Sequence, residues 1–321
     1  LQEGICETGA MASFLAAGTA YANYGLPMIP FYIFYSMFGF QRVGDMVWAC
    51  GDMLCKGFLL GGTSGRTTLN GEGVQHQDGH SHLLASTVPN LKSYDPAFGY
   101  EIALIVREGI RRMYTEQEDL FYYLTVTNQP YRMPALPEGD DVEAGVLAGM
   151  YCLARQPGAQ VHLFGSGAIM NEVLRARELL AGLDITSSLW SVTSYTELSR
   201  QALAVERESL LGVAQADGVP HVAALLQGED GVFVAATDYM KALPMSISKW
   251  VPGPYTVLGT DGFGLSEARP DLRDYFEVSA AWIAFAALST LARNGRYRRQ
   301  DALRFAAAHE LDLCKLDPAL A

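Results

Sequence analysis

Short buried strands alternating with longer helical stretches constrain this chain's fold more than any other feature. Residues 28–35 (MIPFYIFY) are apolar and aromatic, and the run 57–60, which ends in Gly61-Gly62, is a second short apolar segment. Both suit strands covered on two faces. Around them, apolar residues recur near the helical period over 7–24, 37–54 and 100–114, where Ile102, Ile105, Val106, Ile110 and Met113 share one face. Gly25 supplies a helix stop. A helix from 81 to 86, a strand or turn over 89–94 and a strand at 121–126 (FYYLTV) complete the first set. Such alternation predicts a parallel sheet with right-handed crossovers.

The stretch 128–141 (NQPYRMPALPEGDD) gathers prolines and acids and reads as a linker. Beyond it the pattern repeats, with strands at 161–164, 185–192, 232–236 and 255–258 and helices over 169–180, 279–291 and 299–310. The expected fold is therefore α/β: two consecutive three-layer domains with mainly parallel sheets, spanning 1–137 and 138–321. Gly165-Ser166-Gly167 lacks the third glycine and the downstream acid of a dinucleotide fingerprint, so a tight strand-to-helix turn is expected there. The glycine-rich stretch 259–264 (GTDGFG) also reads as a structural turn.

Half of the 321 residues are hydrophobic and 18% are charged, which favours large cores over disorder. A net charge of −12 argues against nucleic-acid binding, which wants a basic face. Five scattered cysteines form neither a zinc framework nor a disulfide ladder, so a cytoplasmic setting is expected. No uninterrupted apolar run reaches ~18 residues, so no membrane span is expected. No signal peptide is expected in the sequence either. It begins at Leu1 inside what reads as a working motif, and a longer parent polypeptide is expected.

The loop that follows the 57–60 strand carries the chemistry. In LNGEGVQHQDGHSH (69–82), His76, His80 and His82 fall close together with Glu72 and Asp78, and Gly71, Gly73 and Gly79 free the backbone. With little to bury, such a segment is either a solvated surface loop or a site, and the gathering of imidazoles and carboxylates favours a site. Ligands in parallel sheets bind at the carboxyl ends of strands, where this loop begins. The histidine spacing also admits a non-catalytic metal-binding or assembly module.

LQEGICETGAMASFLAAGTAY, MIPFYIFYSMFGFQRVGDMVWACGD and GFLLGGTSGRTTLNGEGVQHQDGHSH resemble the homodimeric bacterial pyruvate dehydrogenase first component, a thiamine-diphosphate decarboxylase. The resemblance runs on through SVTSYTELSR, ATDYMKALP and VLGTDGFGLSEAR, so it covers essentially the whole chain. Transketolases share the wider pattern less closely, which leaves a transketolase-type ketol transferase as an alternative. The resemblance implies a pyrimidine-binding domain followed by a C-terminal domain. The family's Gly-Asp-Gly…Asn metal signature is not found: Gly228-Glu229-Asp230-Gly231 is the nearest string, and the next Asn is Asn294. The diphosphate and its Mg2+ are thus expected on an absent N-terminal pyrophosphate domain. A second protomer and the lipoyl domain of a dihydrolipoyl acetyltransferase are the other implied partners.

The resemblance also implies roles. Glu7 would meet a ring nitrogen of the aminopyrimidine and promote its imino tautomer. Ile5, Ala10 and Met11 are expected to desolvate that carboxyl, and Glu3 is its possible neighbour or competitor. Tyr35 and Phe38 would flank the ring. Arg42 would orient the site or a carboxylate, or simply pair on the helix surface. His76, helped by Tyr35, would bind the pyruvate carboxylate, and Glu72 would position the loop or relay protons. His80 and His82 would shape the loop. No catalytic residue is expected in the C-terminal domain.

Overall fold

The structure, a computed structural model, describes residues 3–139, 141–213 and 218–320. Four strands form the first sheet: β1 (Phe31–Tyr35), β2 (Phe58–Gly62), β3 (Leu91–Tyr94) and β4 (Phe121–Thr125). They pair in the order β1-β2-β4-β3, all parallel, with Tyr35 in register with Gly62. Every residue of β4 is buried, which is why FYYLT shows no alternation. By contrast β1 is an edge strand: Phe34 is buried while Phe31, Ile33 and Tyr35 are exposed.

Local chemistry refines the expected elements. The helix expected over 7–24 is two helices, Glu7–Gly18 and Ala20–Tyr24. They part at Thr19, whose hydroxyl bonds back to the Leu15 carbonyl at 2.9 Å and competes with the helical ladder. Gly25 closes the second at φ 66. The helix Ser36–Asp52 starts directly on β1, so Phe38 and Arg42 stand one turn apart beside the strand's carboxyl end. Strand β2 continues through Gly62 rather than stopping at 60. It can do so because Gly61 lies under Tyr123, whose hydroxyl would be 2.4 Å from any Cβ there.

The second sheet holds β5 (Met150–Ala154), β6 (Val161–Gly165), β7 (Ser187–Val192), β8 (Val232–Ala236) and β9 (Tyr255–Leu258) in the order β5-β7-β6-β8-β9. Only β5 runs antiparallel to its neighbour. Val161, Leu163, Val232 and Val234 pack on one face in a core shared with Ile283, Ala287 and Leu291. Phe164, Trp190 and Phe233 fill the other, against Leu198 and Val222. Two mainly parallel α/β domains therefore follow one another, as the alternation predicts.

The elements not expected from the sequence include the helix Asp141–Ala148, β5, the helix Tyr195–Leu210 and the short helices His221–Leu225, Ala242–Met245 and Arg269–Tyr275. The helix Tyr195–Leu210 carries a readable signal, since Ser194 and Glu197 have capping-box spacing and the Ser194 hydroxyl accepts from the Glu197 amide at 3.0 Å. The stretch 269–293 is apolar enough in composition to cross a bilayer, at a mean hydropathy of 1.4 over its best window, yet 56% of that window is buried. It comprises Arg269–Tyr275 and Ala280–Arg293, and the latter is a core helix of the second domain.

A polar seam joins the domains. Asp238, at the end of β8, accepts from the Thr67 amide at 2.8 Å, the Thr67 hydroxyl at 2.7 Å and the Thr68 hydroxyl at 2.5 Å. The Arg66 guanidinium bonds the carbonyls of Thr260 and Gly262, so the 259–264 turn is structural. On the far side the Asp95 amide donates to the Thr193 carbonyl at 2.7 Å, and Gly167 returns a bond to the Asp95 carbonyl at 3.1 Å. Gly65 makes the Asp238 clasp possible: at φ +93, a Cβ would lie 2.2 Å from Asp238 Oδ2. Gly65→Ala is expected to destabilise the chain by about 3 kcal/mol, combining left-handed strain and overpacking. The urea midpoint at unchanged slope measures it.

Candidate active site

A cleft of about 600 Å³ opens at the carboxyl end of β1, lined by Cys6, Glu7, Tyr32, Tyr35, Phe38, Arg42, Gln75 and His76 among others. It forms where three segments meet: the first turn of the helix Glu7–Gly18, the end of β1 with the helix that grows from it, and the loop after β2. Somewhat larger clefts, of about 760 and 650 Å³, lie elsewhere. Among the described residues, the β1 cleft differs from these two in combining a carboxyl group, an imidazole and exposed aromatic rings at a strand's carboxyl end, where parallel sheets bind ligands.

Glu7 sits on the first helical turn, where a carboxylate is favoured by the macrodipole. Its Oε1 accepts from Arg42 Nη1 at 2.6 Å, and its side chain is 20% exposed. The Arg42 guanidinium also lies over the Phe38 ring, 4.1 Å from its centre. Glu3 turns instead to the Ser13 hydroxyl, at 2.5 Å, and does not compete with Glu7. Met11 is fully buried, but Ile5 is 98% exposed and does not desolvate Glu7 as expected. The reason is local: Cys6 is the N-cap, so Ile5 lies outside the helix. Tyr32 donates to the Glu7 carbonyl at 3.4 Å, and burial, then Glu7, push its hydroxyl up to about 12.

Tyr35, Phe38 and His76 form an aromatic corner. Their ring centres are 5.9 Å apart for Tyr35–Phe38, 5.8 Å for Tyr35–His76 and 5.2 Å for Phe38–His76, the last edge-on. His76 Nδ1 lies 3.5 Å from Glu72 Oε2 and 3.4 Å from the Glu72 carbonyl oxygen. Glu72 therefore touches His76 rather than lining the cleft. Glu7, Tyr35, Phe38, Arg42 and His76 are brought together. Cys6, Tyr32 and Gln75 join them without having been singled out in the sequence, and only their closeness to Glu7, Tyr35 and His76 could have flagged them.

The other two histidines go elsewhere. His80 meets Gln41, with 2.6 Å between His80 Nε2 and Gln41 Nε2. His82 is buried, its Nδ1 2.6 Å from the Ser93 hydroxyl and its Nε2 2.9 Å from that of Thr125. Among the described residues no three His, Cys, Asp or Glu side chains gather as a metal ion needs, which removes the geometric ground for a metal-binding module.

The His82 string continues into the seam, where the Thr125 hydroxyl donates to Asp95 Oδ1 at 2.7 Å. Thr125 is then the acceptor for His82, which carries its proton on Nε2. Burial lowers His82 to about 4 and raises Asp95 to about 7. The signs oppose. Folded His82 binds fewer protons than unfolded between about 4 and 6.5, so its contribution is lost as pH falls through that window. Folded Asp95 binds more between 3.8 and about 7, so its contribution is lost as pH rises. In Asp95→Asn only the histidine slope remains. The variant's stability is expected to climb from pH 4 to 6.5 more steeply than the wild type's, as urea titrations at several pH values would measure.

Residues 1–134 match the pyruvate dehydrogenase E1 component middle domain, and residues 149–279 match the transketolase-like TK C-terminal domain. The chain is 50% identical over 323 residues to a pyruvate dehydrogenase E1 component of Pseudomonas aeruginosa, covering 99% of this chain and 36% of that protein. To the Escherichia coli K12 protein of the same description it is 49% identical over 326 residues, covering 100% and 36%. The chain thus spans about a third of the length of the curated relatives it matches. Among solved structures, a transketolase from Leishmania mexicana superposes with a TM-score of 0.67 at 15% identity, covering 90% of this chain and 37% of that one. That likeness concerns the fold alone.

Proposed function

The chain joins a middle domain of the pyruvate dehydrogenase E1 component family to a transketolase-like C-terminal domain, and on that ground we propose that it supplies the aminopyrimidine half of a thiamine-diphosphate site. The whole enzyme would decarboxylate pyruvate and pass the acetyl group to the lipoyl arm of an acetyltransferase. The observation that carries this reading is Glu7 facing the same cleft as the Tyr35–Phe38–His76 corner. The diphosphate and its Mg2+ fall to a pyrophosphate-binding domain outside these residues, and a second copy of the protein completes the enzyme. Five free cysteines fit a cytoplasmic setting.

The residues present fit such a group. A cleft of about 600 Å³ accepts a substituted heteroaromatic ring. Tyr35 and Phe38 give it aromatic walls, and the Glu7 carboxyl can share a proton with a ring nitrogen. Thiamine diphosphate, held at its aminopyrimidine by Glu7, Tyr35 and Phe38, would supply the nucleophilic carbon and the electron sink that decarboxylation of a 2-oxo acid needs. The rest falls to the protein. Glu7 holds or releases a proton at its Oε atoms. Arg42, which occupies Oε1 and one face of Phe38 in this structure, must give up that bond for the ring to take its place. The Glu72 carbonyl, 3.4 Å away, accepts from His76 Nδ1 and orients the imidazole, and in the imidazolium form Nε2–H would donate to the substrate carboxylate. Tyr35 adds a hydroxyl at the same corner. The exposed edge of β1, with Phe31 and Ile33, is apolar surface suited to the companion that would close the cleft and exclude water.

Two measurements test this reading. In the assembled enzyme Glu7→Gln should cost about 10²–10³-fold in kcat, as expected for removing a positioned proton carrier; near-normal pyruvate decarboxylation would remove Glu7 from the mechanism. Pyruvate should be turned over far faster than a ketose phosphate. The reverse preference would make the protein a ketol transferase.

A further inference from the structure

The second domain carries a cleft of about 650 Å³ that the proposed thiamine chemistry does not use, lined in part by Glu172, Arg175, Leu179, Arg269, Pro270 and Arg273. Three guanidinium groups thus share one cleft in a chain whose net charge is −12. Two carboxylates, Glu172 and Glu178, line the cleft with them, one fewer than the guanidinium groups. Glu172 Oε1 accepts from both Arg175 and Arg273, and its Oε2 takes the Ala280 amide at 3.0 Å, so both its oxygens are engaged. Among the described residues Arg175 keeps Nε and Nη1, and Arg269 keeps Nη1, without a hydrogen bond. Arg273 is 4% exposed, and its Nε has no partner. Burial, and after it the neighbouring Arg273, hold the Arg269 guanidinium below its ordinary value. Cationic forks with spare donors are the chemistry that takes up carboxylate and phosphate oxygens.

We propose that this cleft binds a small organic oxyanion, a phosphate monoester or a dicarboxylate, and that the bound anion acts on the loop bearing His76. The volume is that of a metabolite rather than a bare ion, and Leu179 and Pro270 offer an apolar wall for its body. The link to the loop is built from the same arginines. Arg269 Nε holds the Thr68 carbonyl at 2.6 Å, and Arg273 Nη2 holds the linker's Gln129 at 2.6 Å and reaches Thr68 Oγ1 at 3.5 Å. An anion that draws on these donors changes the grip on Thr68, in the loop that continues to Glu72 and His76. By linkage, whatever orders that loop changes the anion's affinity by the same factor. The proposal does not depend on the thiamine reading.

The test is calorimetric titration of the chain with inorganic phosphate, glycerol phosphate and succinate at fixed ionic strength, with hydrogen exchange read across residues 69–76. One of the two organic anions is expected to bind saturably and more tightly than phosphate. Arg175→Gln, at an exposed position, should weaken it about tenfold, near 1.4 kcal/mol. Exchange across 69–76 should change on binding in the wild type. Arg269→Lys, which keeps a charge but loses the fork, should bind the anion yet lose most of the exchange response. The site is overturned if no probe binds saturably, if phosphate binds as tightly as either organic anion, or if folded Arg175→Gln binds like the wild type. An unchanged exchange pattern at saturation overturns the coupling.

Discussion

The buried Asp238 carboxylate, with its three donors from Thr67 and Thr68, holds the loop on which the candidate site depends. A carboxylate that is 2% exposed would be costly if left bare, and here those donors satisfy it. All three come from the start of the loop after β2, while Asp238 follows β8 in the other domain. The loop that carries Glu72 and His76 is therefore fixed by the second domain as much as by its own. The second domain thereby supplies the anchor for that loop.

From that anchor the site's geometry follows. Strand β1 delivers Tyr35 at its carboxyl end, and the helix that grows from it without a loop sets Phe38 and Arg42 beside the cleft. The helix Glu7–Gly18 brings Glu7 to the other wall. Arg42 bonds Glu7 and covers Phe38 at once, so one guanidinium occupies both surfaces proposed for the aminopyrimidine. Such an exposed ion pair is weakly held, because side-chain entropy and solvent screening offset most of its attraction. An aromatic ring with its own donor can displace it.

Much of this was legible in the sequence. Strand runs such as FYYLT and VHLFG have no polar alternation because both faces are covered, and they announce a parallel sheet. The wording around Glu7, Tyr35, Phe38, Arg42 and His76 marked side chains that line one cleft. What was illegible depends on contacts distant in sequence. Spacing within LNGEGVQHQDGHSH does not distinguish His76, beside Tyr35, from His82, buried against Ser93 and Thr125; only the family resemblance did. Asp238 looks like any loop acid until Thr67 is placed on it. Strand β5 was missed because a short antiparallel edge strand after a glycine carries little periodic signal. The helix Tyr195–Leu210 was missed as well, although its Ser194–Glu197 cap was readable in the sequence.

The central claim concerns a distance. A crystal structure of the assembled protein with thiamine diphosphate should place a Glu7 carboxylate oxygen within about 3 Å of a pyrimidine ring nitrogen. Arg42 should have left Oε1, and Tyr35 or Phe38 should lie against the ring. A ring bound outside this cleft, with the Glu7–Arg42 pair still closed at 2.6 Å, would contradict the account.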